Sequence, residues 1–265
     1  MTSFFSSVSV IIPVYNAKSF IEQAVDSAVI FPEVGEVLLI EDGSNDGSHE
    51  KCLELQNKIK KVKVFTHLGR TNRGAAESRN LGILKASFPF ISFLDADDIY
   101  YDNRFLESLC FFSEYPYIKA TYADVELIDI NSGKKKLFGI SKKPESVSLL
   151  TYLLKGGYFH TNSVTIRKTF FEEVGLFNQR CWPHEDSELW IRMASKGKLA
   201  PISDHRPVAT YLIHGNNLSK IASNRTKWEM WKSVYQEVFF QSIGFYNRVL
   251  ILKKMLKYFI GFLKI

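Results

Sequence analysis

Asp95, Asp97 and Asp98 place three carboxylates within four residues, directly after the apolar run Phe90-Ile91-Ser92-Phe93-Leu94. An apolar run of that length reads as a buried strand, so the acids stand at its mouth. Carboxylates this close repel one another unless a cation or hydrogen-bond donors share the site. Mg²⁺ and Mn²⁺ take oxygen ligands, commonly one or two carboxylates together with substrate phosphates. The cluster therefore reads as a strand-end site for a metal-chelated nucleotide diphosphate. A second reading is a helix start, with Asp98 or Asp102 capping a helix over 103–112. A cap uses one acid, however, and three are present.

The elements that must position these acids follow from periodicity. Residues 8–14 are rich in Val and Ile and read as a strand, ended by Pro13 and Asn16. Residues 18–31 carry apolar side chains at helical spacing. Residues 36–40 form a second strand, closed by Glu41-Asp42-Gly43-Ser44, and 48–60 a helix. Residues 62–66 are a third strand, 74–86 a helix and 90–94 the fourth strand. Alternation of this kind predicts a parallel sheet with helices on its faces. Ligands of such sheets bind at the carboxyl ends of the strands. The polar groups Tyr15-Asn16, Glu41-Asp42 and 95–98 all fall at such ends. Beyond residue 115 the pattern changes: 119–130 reads as one strand, with 134–140 returning as its hairpin partner across Asn131-Ser132-Gly133. A helix near 147–154, a strand over 163–167 and a helix over 185–196 follow, the last with Gly197 as its C-cap. The organisation expected is 1–115 and 116–220 as two halves of one catalytic domain, then a helical extension over 221–265.

Taken locally, several of these residues have ordinary roles. Asp42 suits an Asx-turn in Asp-Gly-Ser, Tyr15 a half-buried strand end, and Glu185 or Asp186 a helix cap after Trp182-Pro183. Arg79 is either a phosphate ligand or the partner of a site carboxylate. The ordered set of blocks says more. Val8-Ser9-Val10-Ile11-Ile12-Pro13-Val14-Tyr15-Asn16, the run LLIEDGSNDGS at 38–48, Asn72-Arg73-Gly74 with Ser78-Arg79-Asn80-Leu81-Gly82, Phe93-Leu94-Asp95-Ala96-Asp97-Asp98, and Glu185-Asp186-Ser187-Glu188-Leu189-Trp190 resemble the family-two inverting glycosyltransferases over roughly residues 8–220.

The resemblance implies a glycosyltransferase A-type fold: a Rossmann-like, mostly parallel α/β sheet flanked by helices. It also implies a nucleotide-sugar donor, a UDP-sugar first, and Mn²⁺ or Mg²⁺ as cofactor. It places Pro13, Tyr15, Glu41, Asp42, Arg79, Asp95 and Ala96 around the nucleotide-sugar. Asp42 would contact the uracil and Tyr15 would stack on the base. Many relatives carry Asp where this chain has Glu41. Asp97 would bind the metal and Asp95 the ribose or donor sugar, with Asp98 behind them. Asp186, rather than Glu185, would be the base that an inverting transfer needs. His214 lies in a segment resembling Tyr-Arg-x-His, with Leu212 in the place of the Arg, and would reach the metal or diphosphate. The acceptor implied is a glycan or lipid-linked intermediate of surface-polysaccharide synthesis.

The chain has 265 residues, of which 46% are hydrophobic and 23% charged, the balance of a globular protein. The net charge of +6 is uneven: no acid follows Glu237, whereas Arg248, Lys253, Lys254, Lys257 and Lys264 do. On a helix the lysines share one face beside Val249, Leu252, Met255, Leu256, Phe259, Ile260 and Leu263. That pattern predicts contact with a membrane surface rather than a span, and it leaves an ordinary core helix or a homo-oligomer contact open. No basic stripe or motif elsewhere points to nucleic acid. Cys52, Cys110 and Cys181 are isolated, which suits a reducing compartment. No signal peptide is read at the N-terminus, so the expected location is the cytoplasm, at the inner face of the membrane. No Gly-x-Gly-x-x-Gly follows a strand, which disfavours a dinucleotide oxidoreductase. A nucleotidyltransferase would need a Gly-rich basic loop after the first strand, and a processive synthase a Gln-x-x-Arg-Trp motif and several spans. A catalytically silent nucleotide-sugar-binding protein is the remaining alternative, opposed by the retained carboxylates.

Overall fold

The computed structural model describes residues 7–139, 143, 145–202, 206–213 and 223–263. Strand and helix alternate through β1 (Val8–Val14), α1 (Ile21–Val29), β2 (Val34–Glu41), α2 (Ser48–Lys58), β3 (Val62–Thr66), α3 (Ala75–Lys85) and β4 (Phe90–Phe93). Then follow α4 (Leu106–Glu114), β5 (Ile118–Tyr122), β6 (Val125–Asp129), β7 (Lys135–Phe138), α5 (Leu149–Leu154), β8 (Thr165–Arg167) and α6 (Phe170–Val174). The chain continues through α7 (Glu185–Lys196), β9 (Lys198–Pro201), β10 (Thr210–Ile213), α8 (Asn224–Val238) and α9 (Gly244–Leu263). The larger sheet has the order β3-β2-β1-β4-β8-β5-β9 and is parallel except for β8, which runs against both its neighbours. A smaller sheet has the order β10-β6-β7.

The central strands are apolar on both faces because both are covered. Ile11, Leu38, Ile40, Ile91 and Phe93 point to a core shared with α3, α5, α6, α7 and α8. The alternate residues Val10, Ile12, Val37 and Leu39 point to a second core under α1, α2 and α4. The α8 residues Met230, Trp231 and Val234 belong to the first core, where this helix packs against α7 and α9.

Two local expectations are corrected. Residues 119–130 are not one strand: β5 lies in the larger sheet and β6 in the smaller, with Ala123 and Asp124 carrying the chain across. The hairpin partner survives as β7, antiparallel to β6. Gly197 is the C-cap of α7, as expected, its N–H donating to Met193 O, with φ −146°, extended rather than left-handed. Its smallness serves packing, since a Cβ there would stand 2.6 Å from the Phe170 ring. Helix α4 begins after Phe105 with no side-chain cap, so neither Asp98 nor Asp102 caps it.

At the amino end of β2, away from the acidic cluster, Glu36 is buried and fully engaged. It accepts from Ser9 Oγ (2.6 Å), Ser87 N (2.6 Å) and Lys63 Nζ (2.7 Å). Burial alone would raise its pKa, but these partners outweigh it and hold the carboxyl below its ordinary value. Glu36→Gln is therefore expected to cost about 1–3 kcal/mol of stability at neutral pH. A depressed carboxylate stabilises above its unfolded pKa of about 4.3 and loses that contribution as pH falls through the lower folded value. Urea midpoints of wild type and variant should accordingly converge below about pH 4. A gap that stays constant with pH would contradict the linkage.

Candidate active site

The cleft opens where strand pairing stops. β4 pairs with β1 only from Val8 to Ile11, and Leu94 N donates to Ile11 O. Residue 11 therefore faces β4, and so does residue 13, two positions on. Pro13 lacks an N–H where no ladder partner remains to take it. A proline is thus accommodated within a central strand, and the space beyond it becomes the mouth of the sheet.

Side chains stitch the rim of this mouth. Asn16 accepts from Asn45 N through Oδ1, and its own N–H donates to Ser44 Oγ (3.0 Å each). Buried Glu41 closes the turn after β2 by accepting from Ser44 N at 2.5 Å, with His49 and Arg70 near its other oxygen. Gly43 holds φ +76° within 2.6 Å of Arg70 O, measured from where a Cβ would lie, so no other residue fits. Buried Asp42 accepts from the backbone N–H groups of Arg73 (2.7 Å) and Gly74 (2.8 Å). It thereby fixes the loop that enters α3. Burial raises the Asp42 pKa against the pull of these two N–H groups. Tyr15 stands 51% exposed on the rim, free to present a ring face.

The acidic turn is held from behind by a residue that sequence reasoning missed. Asn162 is fully buried just before β8. Its Oδ1 accepts from Asp95 N (3.0 Å), while its Nδ2 donates to Asp98 Oδ2 (2.7 Å) and Thr210 O (3.1 Å). Asp98 also accepts from Leu212 N (2.7 Å) and Thr210 Oγ1 (3.1 Å). Asp98 thus ties the turn to β10 instead of facing the cleft. Burial, then the charges of Asp95 and Asp97, push its pKa well up. Ala96 is buried, whereas Asp95 and Asp97 are half-buried. The signal for Asn162 lay in the polar run His160-Thr161-Asn162-Ser163 ahead of an apolar strand.

Arg79, from α3, joins the two halves of the chain. Its Nη2 donates to Asp95 Oδ1 at 2.8 Å, and its Nη1 lies 3.6 Å from Glu185 Oε1 at the start of α7. Burial would raise the Asp95 pKa; the Arg79 charge, then that of His160, overcome it and hold the group ionised. Glu185 shifts the other way: burial and the Asp186 charge raise it, with Arg79 opposing. Its Oε2 is buried without a hydrogen bond. Asp186 is grasped on both oxygens, by Ser187 N (2.5 Å) and by a short hydrogen bond from the Tyr158 hydroxyl. Burial, then Asp186, raise the Tyr158 pKa far above the usual phenol value, so it stays a donor. The ring of buried His160 lies 4.4 Å from Tyr211, and burial lowers its pKa. Neither Tyr158 nor His160 carries a motif of its own.

Asp95, Arg79, Glu185 and Asp186 therefore converge from three distant parts of the chain, and Glu41, Asp42, Pro13 and Tyr15 frame the neighbouring strand ends. His214 lies outside the described residues. Among the described residues, no three His, Cys, Asp or Glu side chains form a ready cation cage. The donor set suits a cation held by a carboxylate and substrate phosphates.

Comparison with known proteins gives the family and the fold. The sequence model described as Glycosyl transferase family 2 matches residues 9–175, more than half of the chain. An uncharacterized glycosyltransferase of Haemophilus influenzae is 30% identical over 226 residues, covering 84% of this chain and 85% of its own. The succinoglycan biosynthesis protein ExoU of Rhizobium meliloti is 27% identical over 230 residues, 83% of this chain and 66% of its own. Some relatives are longer: the chain spans 31% of an uncharacterized Rickettsia bellii glycosyltransferase that is 31% identical over 83% of this chain. In three dimensions the 1–349 fragment of S. aureus TarS superposes with a TM-score of 0.72 at 20% identity, covering 97% of this chain and 72% of the fragment. The same fragment in complex with UDP-GlcNAc gives 0.68 at 18% identity, covering 97% and 73%. These likenesses, with the carboxylates gathered at the sheet mouth, make the chain a glycosyltransferase that belongs to glycosyl transferase family 2.

Proposed function

We propose that the chain transfers a sugar from a UDP-sugar to a hydroxyl of a glycan or lipid-linked acceptor in surface-polysaccharide synthesis, with inversion at the anomeric carbon. The observation that carries this reading is Arg79, which sets Glu185 and its neighbour Asp186 beside Asp95. A donor-side carboxylate and a candidate base then share one cleft, as a direct displacement requires. Asp186 accepts the proton of the acceptor hydroxyl as that oxygen attacks the anomeric carbon and the nucleoside diphosphate departs. Tyr158 and Ser187 N hold the Asp186 carboxylate for this. Asp42 and Tyr15 receive the nucleoside at the ends of β2 and β1. Asp97, with the donor diphosphate, would hold Mn²⁺ or Mg²⁺, which would supply Lewis-acid stabilisation of the leaving group's charge. The UDP choice draws on the nucleotide in the TarS complex, and the acceptor class on the name of the succinoglycan relative.

The test is nucleoside diphosphate release from UDP-, GDP-, dTDP- and CMP-sugars, with and without Mn²⁺, with membrane extract as acceptor source. The expected result is metal-stimulated release from a UDP-sugar that disappears in Asp97→Ala. Release from a different nucleotide class would correct the donor. Nucleotide binding without release from any donor would return the chain to the silent binding protein.

A further inference from the structure

Phe245, Val249, Leu252, Leu256, Phe259 and Leu263 recur at intervals of four and three along α9. That spacing aligns them on one side of a helix. A stripe so regular normally faces a core, yet here another side does so. Ile251 is fully buried and Met255 and Tyr258 pack against the first core. Lys254, which the sequence grouped with the outer lysines, lies over the Trp231 ring of α8 at 5.7 Å. Most of the stripe is left outward, with Phe245 81%, Leu256 58% and Leu263 65% exposed, while the Phe259 ring lies 4.9 Å from that of Trp228 in α8. A contiguous exposed apolar surface of this kind marks an interaction site.

Charge selects the occupant. Lys253 and Lys257 are exposed beside the stripe, Arg248 is turned away to donate to Phe239 O and Gln241 O, and no acid follows Glu237. A second copy seated on the stripe would bring basic edges against basic edges with no acid to answer them, the arrangement that disfavours coiled-coil pairing. An anionic lipid surface answers both features, the apolar stripe and the lysines. Among the described residues no helix is long and apolar enough to cross a membrane, so α9 has the character of a helix that lies on one.

We propose that α9 lies in the interface of an anionic bilayer, with its apolar stripe at the headgroup–acyl boundary and its lysines on anionic lipid. The assignment stands on α9 itself and does not depend on the donor.

The experiment is co-sedimentation of the full chain with vesicles of phosphatidylglycerol and phosphatidylcholine, against phosphatidylcholine alone, at low and high salt. Anionic vesicles should bind at least about tenfold more tightly, and salt should erase the difference. Lys253→Gln/Lys257→Gln should weaken binding by about 25-fold, and Leu256→Glu by at least about tenfold. The lysine pair keeps the test sound if Leu256→Glu disturbs folding, which thermal unfolding reports. Binding that ignores lipid charge, or no binding, overturns the proposal. A dimer in sedimentation velocity that Leu256→Glu dissociates, without vesicle binding, overturns it in favour of a second copy.

Discussion

Asp186→Asn is expected to lower kcat by about 10²–10⁴-fold, the contribution of a positioned general base, with little change in nucleotide affinity. The substitution is close to isosteric. Asn keeps an oxygen for the Ser187 N–H at the start of α7, so the helix entry should hold. The Tyr158 hydroxyl still meets a polar atom. An amide, however, cannot take the acceptor's proton at neutral pH. Steady-state turnover with acceptor, set beside calorimetric titration of the nucleotide, separates chemistry from binding. The competing assignment is Glu185. It is more buried and lacks a partner on Oε2, and burial with the Asp186 charge raises its pKa, which moves it toward the range suited to proton transfer. Geometry disfavours it: Glu185 lies 3.6 Å from Arg79, which itself pairs with Asp95, and in the proposed function that is the donor side. Should Glu185→Gln take the larger kcat loss while Asp186→Asn stays within about tenfold, the two roles are reversed.

The sequence displayed the parallel half of the fold because its determinants are local. Each strand from β1 to β4 is a short apolar run stopped by Pro, Asn, Gly or Asp, and each helix between them shows its own periodicity. What it did not display depends on partners far along the chain. Asp98 reads as a cap until Asn162, Thr210 and Leu212 are seen to donate to it. Residues 119–130 alternate like one strand, and nothing local shows that β5 and β6 belong to different sheets. In α9, two apolar sides are present, and spacing cannot choose which one the core takes. The packing of α8 makes that choice, with Lys254 inside and Leu256 outside. Arg79 was legible as a partner of phosphates or carboxylates, but only the fold brings Asp95 and Glu185 to the same guanidinium.

That guanidinium carries the last large effect. Arg79→Ala is expected to destabilise the protein by about 3 kcal/mol, because it strands the buried Glu185 and the half-buried Asp95 without their cation. The lower end of the 3–5 kcal/mol range fits, since Asp95 keeps 28% of its side-chain surface. Arg79→Lys should recover only part of the loss. A single ammonium cannot span Asp95 at 2.8 Å and Glu185 at 3.6 Å with separate donors. Acidification should narrow the deficit by protonating the stranded groups, Glu185 first, since its pKa is already raised. A double-mutant cycle with Glu185→Gln gives the decisive reading. If Arg79 serves to balance Glu185, removing that charge should restore part of the stability lost in Arg79→Ala, giving a coupling on the order of 1 kcal/mol. Strict additivity would mean that the arginine pairs with Asp95 alone. The two halves of the cleft would then be joined by packing, and the link from the acidic turn to α7 would lose its electrostatic basis.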